Sequence, residues 1–177
     1  MQDGAIRPCD NTSVGVIVID GTDRYLLIER STPPFGIAPV AGHIDNHGGP
    51  QSAARNEVNE EVGLTILNLR KLCELWRPNP CRRPAGPGGI GHHWTLYQAT
   101  VEGELRTSPD EVRAARWINT DELQALAERT AAHARGHLTS KEFLAKPGLQ
   151  PVWVHFLAVQ RLIRMSQKDL AAVDGLD

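Results

Sequence analysis

Gly42–Leu64 reads GHIDNHGGPQSAARNEVNEEVGL, and this stretch decides the fold. Gly and Pro crowd its first half, which therefore begins as a loop. From Gln51 to Val62 they vanish and helix formers take over, until Gly63 supplies the residue type that closes helices in a left-handed C-cap. A helix over Gln51–Val62 follows. Successive residues turn about 100° around its axis, so Glu57, Glu60 and Glu61 share an arc of about 100°. Ala54, Val58 and Val62 form an adjoining apolar stripe that must face a core, which sets the acids at the rim of a buried surface. Like charges at this spacing repel by about 0.2–0.5 kcal/mol per pair unless a cation stands among them. Hard carboxylate oxygens suit Mg²⁺ or Mn²⁺. A solvated acidic face is the plain alternative, but the Gly-rich loop, whose backbone can approach the same end of the helix, favours the ion.

Outward from this segment, Ser13–Ile19 and Arg24–Glu29 flank Asp20–Asp23 and predict two strands joined as a hairpin. Residues 31–50 are Pro- and Gly-rich loop with a short extended piece around Ile37–Val40. Thr65–Trp76 and His93–Val101 read as strands, separated by the long loop Arg77–Gly91 with its three arginines. A strand over Arg113–Asn119 precedes a helix that opens at Thr120 with an acidic first turn. Val152, Phe156, Val159 and Ile163 recur at helical spacing after Pro151, so a last amphipathic helix is expected to about Met165, with Ser166–Asp177 frayed. This order of elements predicts one three-layer α/β domain over residues 1–177, with its core at about 12–165 and both termini flexible.

Composition narrows the partners. The chain is 41% hydrophobic and 23% charged, which excludes collagen-like, coiled-coil and mostly disordered chains. A net charge of -2 gives no global attraction to nucleic acid or an anionic membrane, so phosphate must be met by a local basic cluster or by metal. Arg77, Arg82 and Arg83 in the long loop, and Arg30 at the end of the second strand, are candidates for forked hydrogen bonds to phosphate. Trp76, Trp94 and Tyr97 read as core in preference to base-stacking residues. Val14–Ile19 is too short an apolar stretch to span a bilayer, and a cytoplasmic location is expected.

The three cysteines, Cys9, Cys73 and Cys81, form no C-x-x-C pair, which predicts reduced thiols and no cysteine zinc knuckle. His43 and His47 share a zinc-like spacing but have no matching second pair, so the spacing argues against structural zinc. His92 and His93 are assigned to substrate contact instead.

Gly42–Leu64 also resembles the Nudix box, in which G, five residues, E and seven residues lead into R-E-U-x-E-E-x-G-U, with U bulky and aliphatic. Gly42, Glu57, Val58, Glu60, Glu61, Gly63 and Leu64 stand in register, while Gly48 replaces the pattern's first Glu and Asn56 its Arg. In the family those two brace loop against helix; here both are gone together, which leaves neither charge unpaired. The resemblance implies a Nudix-type three-layer α/β/α sandwich with a mixed β-sheet. It implies divalent-metal-dependent hydrolysis of a nucleoside diphosphate linked to another moiety, by water attack at phosphorus. Glu60 and Glu61 would be metal ligands with the Ala41 carbonyl, and Glu57 a ligand or the general base, with Glu111 the second candidate for base. The expected partner is a small nucleotide diphosphate derivative, with no membrane and with nucleic acid disfavoured; a homodimer is compatible with the family, and an RNA-end-processing or RNA-binding domain using the arginine loop is a third, weaker reading. A nucleotide-binding module of the same fold that hydrolyses nothing is the alternative raised by Gly48 and Asn56.

Overall fold

A computed structural model describes residues 7–176. The chain runs through β1 (Thr12–Val18), β2 (Tyr25–Arg30), β3 (Ile37–Ala38), β4 (Val40–His43), α1 (Pro50–Val62), β5 (Thr65–Arg77), β6 (His92–Glu102) and β7 (Val112–Ile118). Helices α2 (Thr120–Ala134), α3 (Ser140–Ala145), α4 (Pro151–Val159) and α5 (Gln167–Val173) complete it. Four strands form a mixed sheet in the order β4-β1-β6-β5, with β1 and β6 parallel and the other neighbours antiparallel. β3, β2 and β7 form a second, antiparallel sheet.

The alternation of side chains along β1 explains the layers. Val14, Val16 and Val18 pack with Ala53, Ala54, Val58 and Val62 of α1, while Ile17 packs on the opposite face with Trp153, Phe156 and Leu123 from α4 and α2. Both faces are covered, and the strand therefore reads as one apolar run. Gly15 has a packing reason: a Cβ there would overlap the Trp153 ring, so its absence lets the indole lie against the strand.

The α/β class with a mixed sheet agrees with the expectation, but several elements differ. β1 and β2 are not a paired hairpin. Past the Asp20 turn they pair only at the Ile19–Tyr25 bridge among the described residues, then join different sheets, because β4 and β6 take up the hydrogen bonds of β1. The extended piece near Ile37 is two short strands, one in each sheet. α4 stops at Val159, and Val152 through Leu157 are all buried, so it is a core helix and not an amphipathic one. Ser166 to Leu176 is not frayed. The Ser166 side chain accepts from the Asp169 N–H to cap α5, and Val173 is fully buried. The expected flexibility of Met1–Ile6 and Asp177 lies outside the described residues. Among the described residues, no helix is long and apolar enough to cross a membrane.

Candidate active site

α1 carries the acidic residues to the edge of the body. Pro50 opens it at a position where the missing N–H has no intrahelical partner to lose. Gly63 closes it at φ 70°, its N–H donating to the Asn59 carbonyl at 2.9 Å. Val58 and Val62 enter the core, and the neighbouring side chains Glu57 and Glu61, only 8% and 1% exposed, border a cleft of about 440 Å³. Glu60 stands exposed on its rim. β4 lies beneath. Gly42 leaves the space that the Glu57 carboxylate fills, since a Cβ there would overlap it, and the Ala41 N–H donates to Oε2 of Glu61 at 3.3 Å.

The cleft is short of positive charge. Arg30, at the end of β2, approaches Oε1 of Glu61 at 3.6 Å, and its own Nε is buried without a hydrogen-bond partner among the described residues. Burial chiefly, then the negative charges of Glu111 and Glu60, push the Glu57 carboxyl up to about 7. Burial also pushes Glu61 up to about 8, against the pull of Arg30 and with added repulsion from Glu57. Glu111, in the loop before β7, lines the same cleft, with Arg82 3.7 Å from its Oε1.

The long loop after β5 forms the facing wall. Arg83 makes a two-pronged hydrogen bond to Asp45, at 2.8 and 2.7 Å, and so ties this loop to the one before α1. The Arg83 guanidinium holds the Asp45 carboxyl below its ordinary value. The brace missing at Gly48 and Asn56 has a neutral substitute: the Asn56 amide pairs with Nδ1 of His47 at 2.8 Å, again joining loop to helix.

The cleft thus brings together Glu57, Glu60, Glu61, Ala41, Glu111, Arg30, Arg82, Arg83 and His92. Two expected residues fall elsewhere. Arg77 pairs with Asp174 beyond α5, a segment expected to fray. His93 alternates with His92 and Trp94 along β6, so its side chain leaves the other face and meets Trp76 edge-on at 5.5 Å. His92 is buried and occupied by other protein groups, Cys9 Sγ at 3.1 Å and Asn79 Oδ1 at 2.9 Å. Trp94 and Tyr97 are buried core residues and Trp76 is partly exposed. Reading the sequence missed Asp45 as the partner of Arg83, and also the wall made by Phe35, Phe143 and Gln150, which only tertiary packing assembles.

The donor set fits a hard divalent cation. Three carboxylates of one helix and a fourth from a loop line one cleft, and of the two buried ones Glu61 has Arg30 as its one ion-pair partner among the described residues and Glu57 has none.

The model of the NUDIX domain family matches residues 10–140, and the chain belongs to that family. Nudix hydrolases generally use divalent metal ions. The chain is 25% identical over 118 residues to an NAD-capped RNA hydrolase of Caenorhabditis elegans, covering 66% of this chain and 30% of that protein. It is 26% identical over 119 residues to the NAD-capped RNA hydrolase NudC of Mycobacterium tuberculosis, covering 67% and 36%. Over 136 residues it is 29% identical to a mitochondrial NAD(P)H pyrophosphatase of Mus musculus, covering 76% and 35%. It therefore spans about a third of the length of these curated relatives. Among solved structures, a NUDIX hydrolase from Nitrosomonas europaea aligns with a TM-score of 0.51 at 22% identity, covering 67% of this chain and 77% of that one. The NUDIX domain of Shewanella oneidensis NrtR, complexed with ADP ribose, aligns with a TM-score of 0.53 at 17% identity, covering 70% and 80%. These likenesses show the fold.

Proposed function

We propose that the chain hydrolyses the pyrophosphate linkage of a nucleoside diphosphate joined to another moiety, with Mg²⁺ or Mn²⁺ as cofactor. The observation that carries this reading is the pair of buried carboxylates, Glu57 and Glu61, at a cleft whose cations do not balance its acids. Glu57, Glu60 and Glu61 would hold the ion together with the Ala41 carbonyl. A strand residue sends its N–H and C=O to the same edge, and the Ala41 N–H already reaches Glu61. When bound, the ion would neutralise diphosphate oxygens and lower the pKa of water.

The chain's own groups do the rest. Arg83, fixed by Asp45, and Arg82 on the same wall present donors to phosphate oxygens, and Arg30 meets them from beside Glu61. Glu57, as ligand or as general base, is the first candidate by position, since it sits buried at the cleft beside Glu61. Glu111 faces it across the cleft as the second.

A cleft of about 440 Å³ is of the size that holds one small ligand. The names of the relatives favour an NAD-type dinucleotide, and the net charge of -2 favours the free dinucleotide over RNA carrying it as a cap. A cytoplasmic setting accords with three free cysteines. The hydrolysis-free alternative loses its motive, because His47–Asn56 restores the tie between loop and helix.

The test is a panel of NADH, NAD⁺, ADP-ribose and an NAD-capped oligonucleotide, assayed with Mg²⁺ or Mn²⁺ and with chelator. AMP release that needs the metal and vanishes in Glu57→Gln or Glu60→Gln is expected; unchanged turnover in both variants refutes the site.

A further inference from the structure

Beside the acidic cleft lies a second cluster, built from residues scattered along the chain. Cys9 precedes β1, His43 ends β4, Cys81 sits in the loop after β5 and His92 begins β6. One ligand atom from each lies within 4.8 Å of all the others. Nε2 of His43 is 3.4 Å from Sγ of both Cys9 and Cys81, and Nε2 of His92 is 3.1 Å from Cys9 Sγ. In tetrahedral zinc sites the Zn–S and Zn–N bonds are about 2.3 and 2.0 Å, which makes each S···N edge about 3.5 Å. The observed separations are already close to that.

We propose that Cys9, His43, Cys81 and His92 form a structural zinc site that fastens the Arg82–Arg83 loop to the wall of the cleft. Three independent features around the four ligands support it. Each sulfur accepts a backbone N–H from the residue two positions on, Asn11 to Cys9 and Arg83 to Cys81, both at 3.3 Å. Paired donors of that kind stabilise thiolate charge. Nδ1 of His92 faces Asn79 Oδ1 at 2.9 Å, so with the proton on Nδ1 the Nε2 lone pair turns toward the cluster, as the outer partners of metal-bound histidines require. Cys9 and His92 are each 2% exposed and His43 and Cys81 half-buried, so the protein itself offers four ligands, the number a structural site uses. Two thiolates cancel the charge of the ion, and the donors are the nitrogen and sulfur that zinc prefers, unlike the oxygens of the acidic cleft.

The geometry also states what the ion would do. Cys81 is adjacent to Arg82 and Arg83, and His43 is adjacent to Gly42, against which Glu57 packs. A single ion would join the N-terminal segment, the loop before α1 and the arginine loop at the point where they meet the cleft.

The full chain, purified under reducing conditions with no added metal, is expected to carry one zinc ion per molecule by elemental analysis. Replacing it with Co²⁺ should give the thiolate-to-cobalt charge-transfer band and the intense visible bands of a tetrahedral site. Cys9→Ser and Cys81→Ser should lose both the zinc and the band. Cys73→Ser, which alters the third cysteine, and Glu60→Gln, which alters the acidic site, should keep them. Trypsin should cut after Arg82 at least several-fold faster after strong chelation, since Pro84 protects the bond after Arg83. If a cysteine variant fails to fold, the cobalt spectrum of the unaltered chain decides alone. The proposal is overturned by an unaltered chain that holds no zinc and gives no charge-transfer band with Co²⁺. A native Cys9–Cys81 disulfide, or equal loss of metal in Cys73→Ser, overturns it too.

Discussion

Two donor clusters border the same cleft and differ in donor chemistry and in how the chain assembles them. The acidic one comes from a single helix, offers oxygen, opens to solvent at Glu60 and keeps two carboxyls well above their ordinary proton affinity. The other draws its four groups from four segments and offers sulfur and nitrogen, with Cys9 and His92 buried and His43 and Cys81 half-buried at the cleft. Open oxygen sites leave room for a substrate and its water, whereas closed nitrogen–sulfur sites hold chain to chain. On the two proposals made above, one cluster serves chemistry and the other architecture.

The sharpest way to break that division is Glu57→Gln. It should lower kcat on the best substrate by about 10²–10⁴-fold while leaving zinc content unchanged, as loss of a general base or ligand predicts. Glu111→Gln should cost less, and a larger loss in kcat for Glu111→Gln would move the base across the cleft. Next in size is Gly42→Ala. Its methyl would overlap the Glu57 carboxylate, so a destabilisation of about 1–3 kcal/mol in urea titration is expected, with activity falling alongside. A fully stable and active Gly42→Ala would show that Glu57 does not need its seat on β4.

A different kind of effect concerns pH in the metal-free chain. Glu57 and Glu61 bind protons in the folded state up to about 7 and about 8, whereas the unfolded chain releases them near 4.5. Between those limits the folded chain holds more protons, so stability should fall as pH rises from about 4.5 to about 8 and then level off. Glu111, Glu60 and Asp45 reinforce the trend, and Arg30 opposes it. Added Mg²⁺ should flatten the slope by favouring the charged forms, which thermal melts across that range would reveal. The smallest expected effect is Asn56→Ala. Loss of its bond to His47 should cost about 0.5–1.5 kcal/mol, and no cost would mean the loop needs no brace.

The contrast also explains what could be read from residue order alone. The acidic helix was legible because its periodicity, its Gly63 stop and its three glutamates lie in one contiguous stretch, where geometry follows from 3.6 residues per turn. The nitrogen–sulfur cluster was not. Cys9 and His43 are 34 positions apart and His43 and Cys81 are 38 apart, so no local spacing signals them, and the spacing rule for zinc pointed the other way. The β1–β2 hairpin failed for a related reason: a tight turn at Asp20 is local, but the partners of each strand are remote. Arg77 was misplaced because its partner, Asp174, belongs to a tail whose Ser166 cap and buried Val173 hold it in place.

The central claim is that Glu57, Glu60 and Glu61 converge on one hard divalent ion. Crystals soaked in Mn²⁺ and measured at the manganese edge test it most directly. An anomalous peak between those carboxylates and the Ala41 carbonyl is the predicted result; carboxylates that turn to solvent with no peak among them would contradict it.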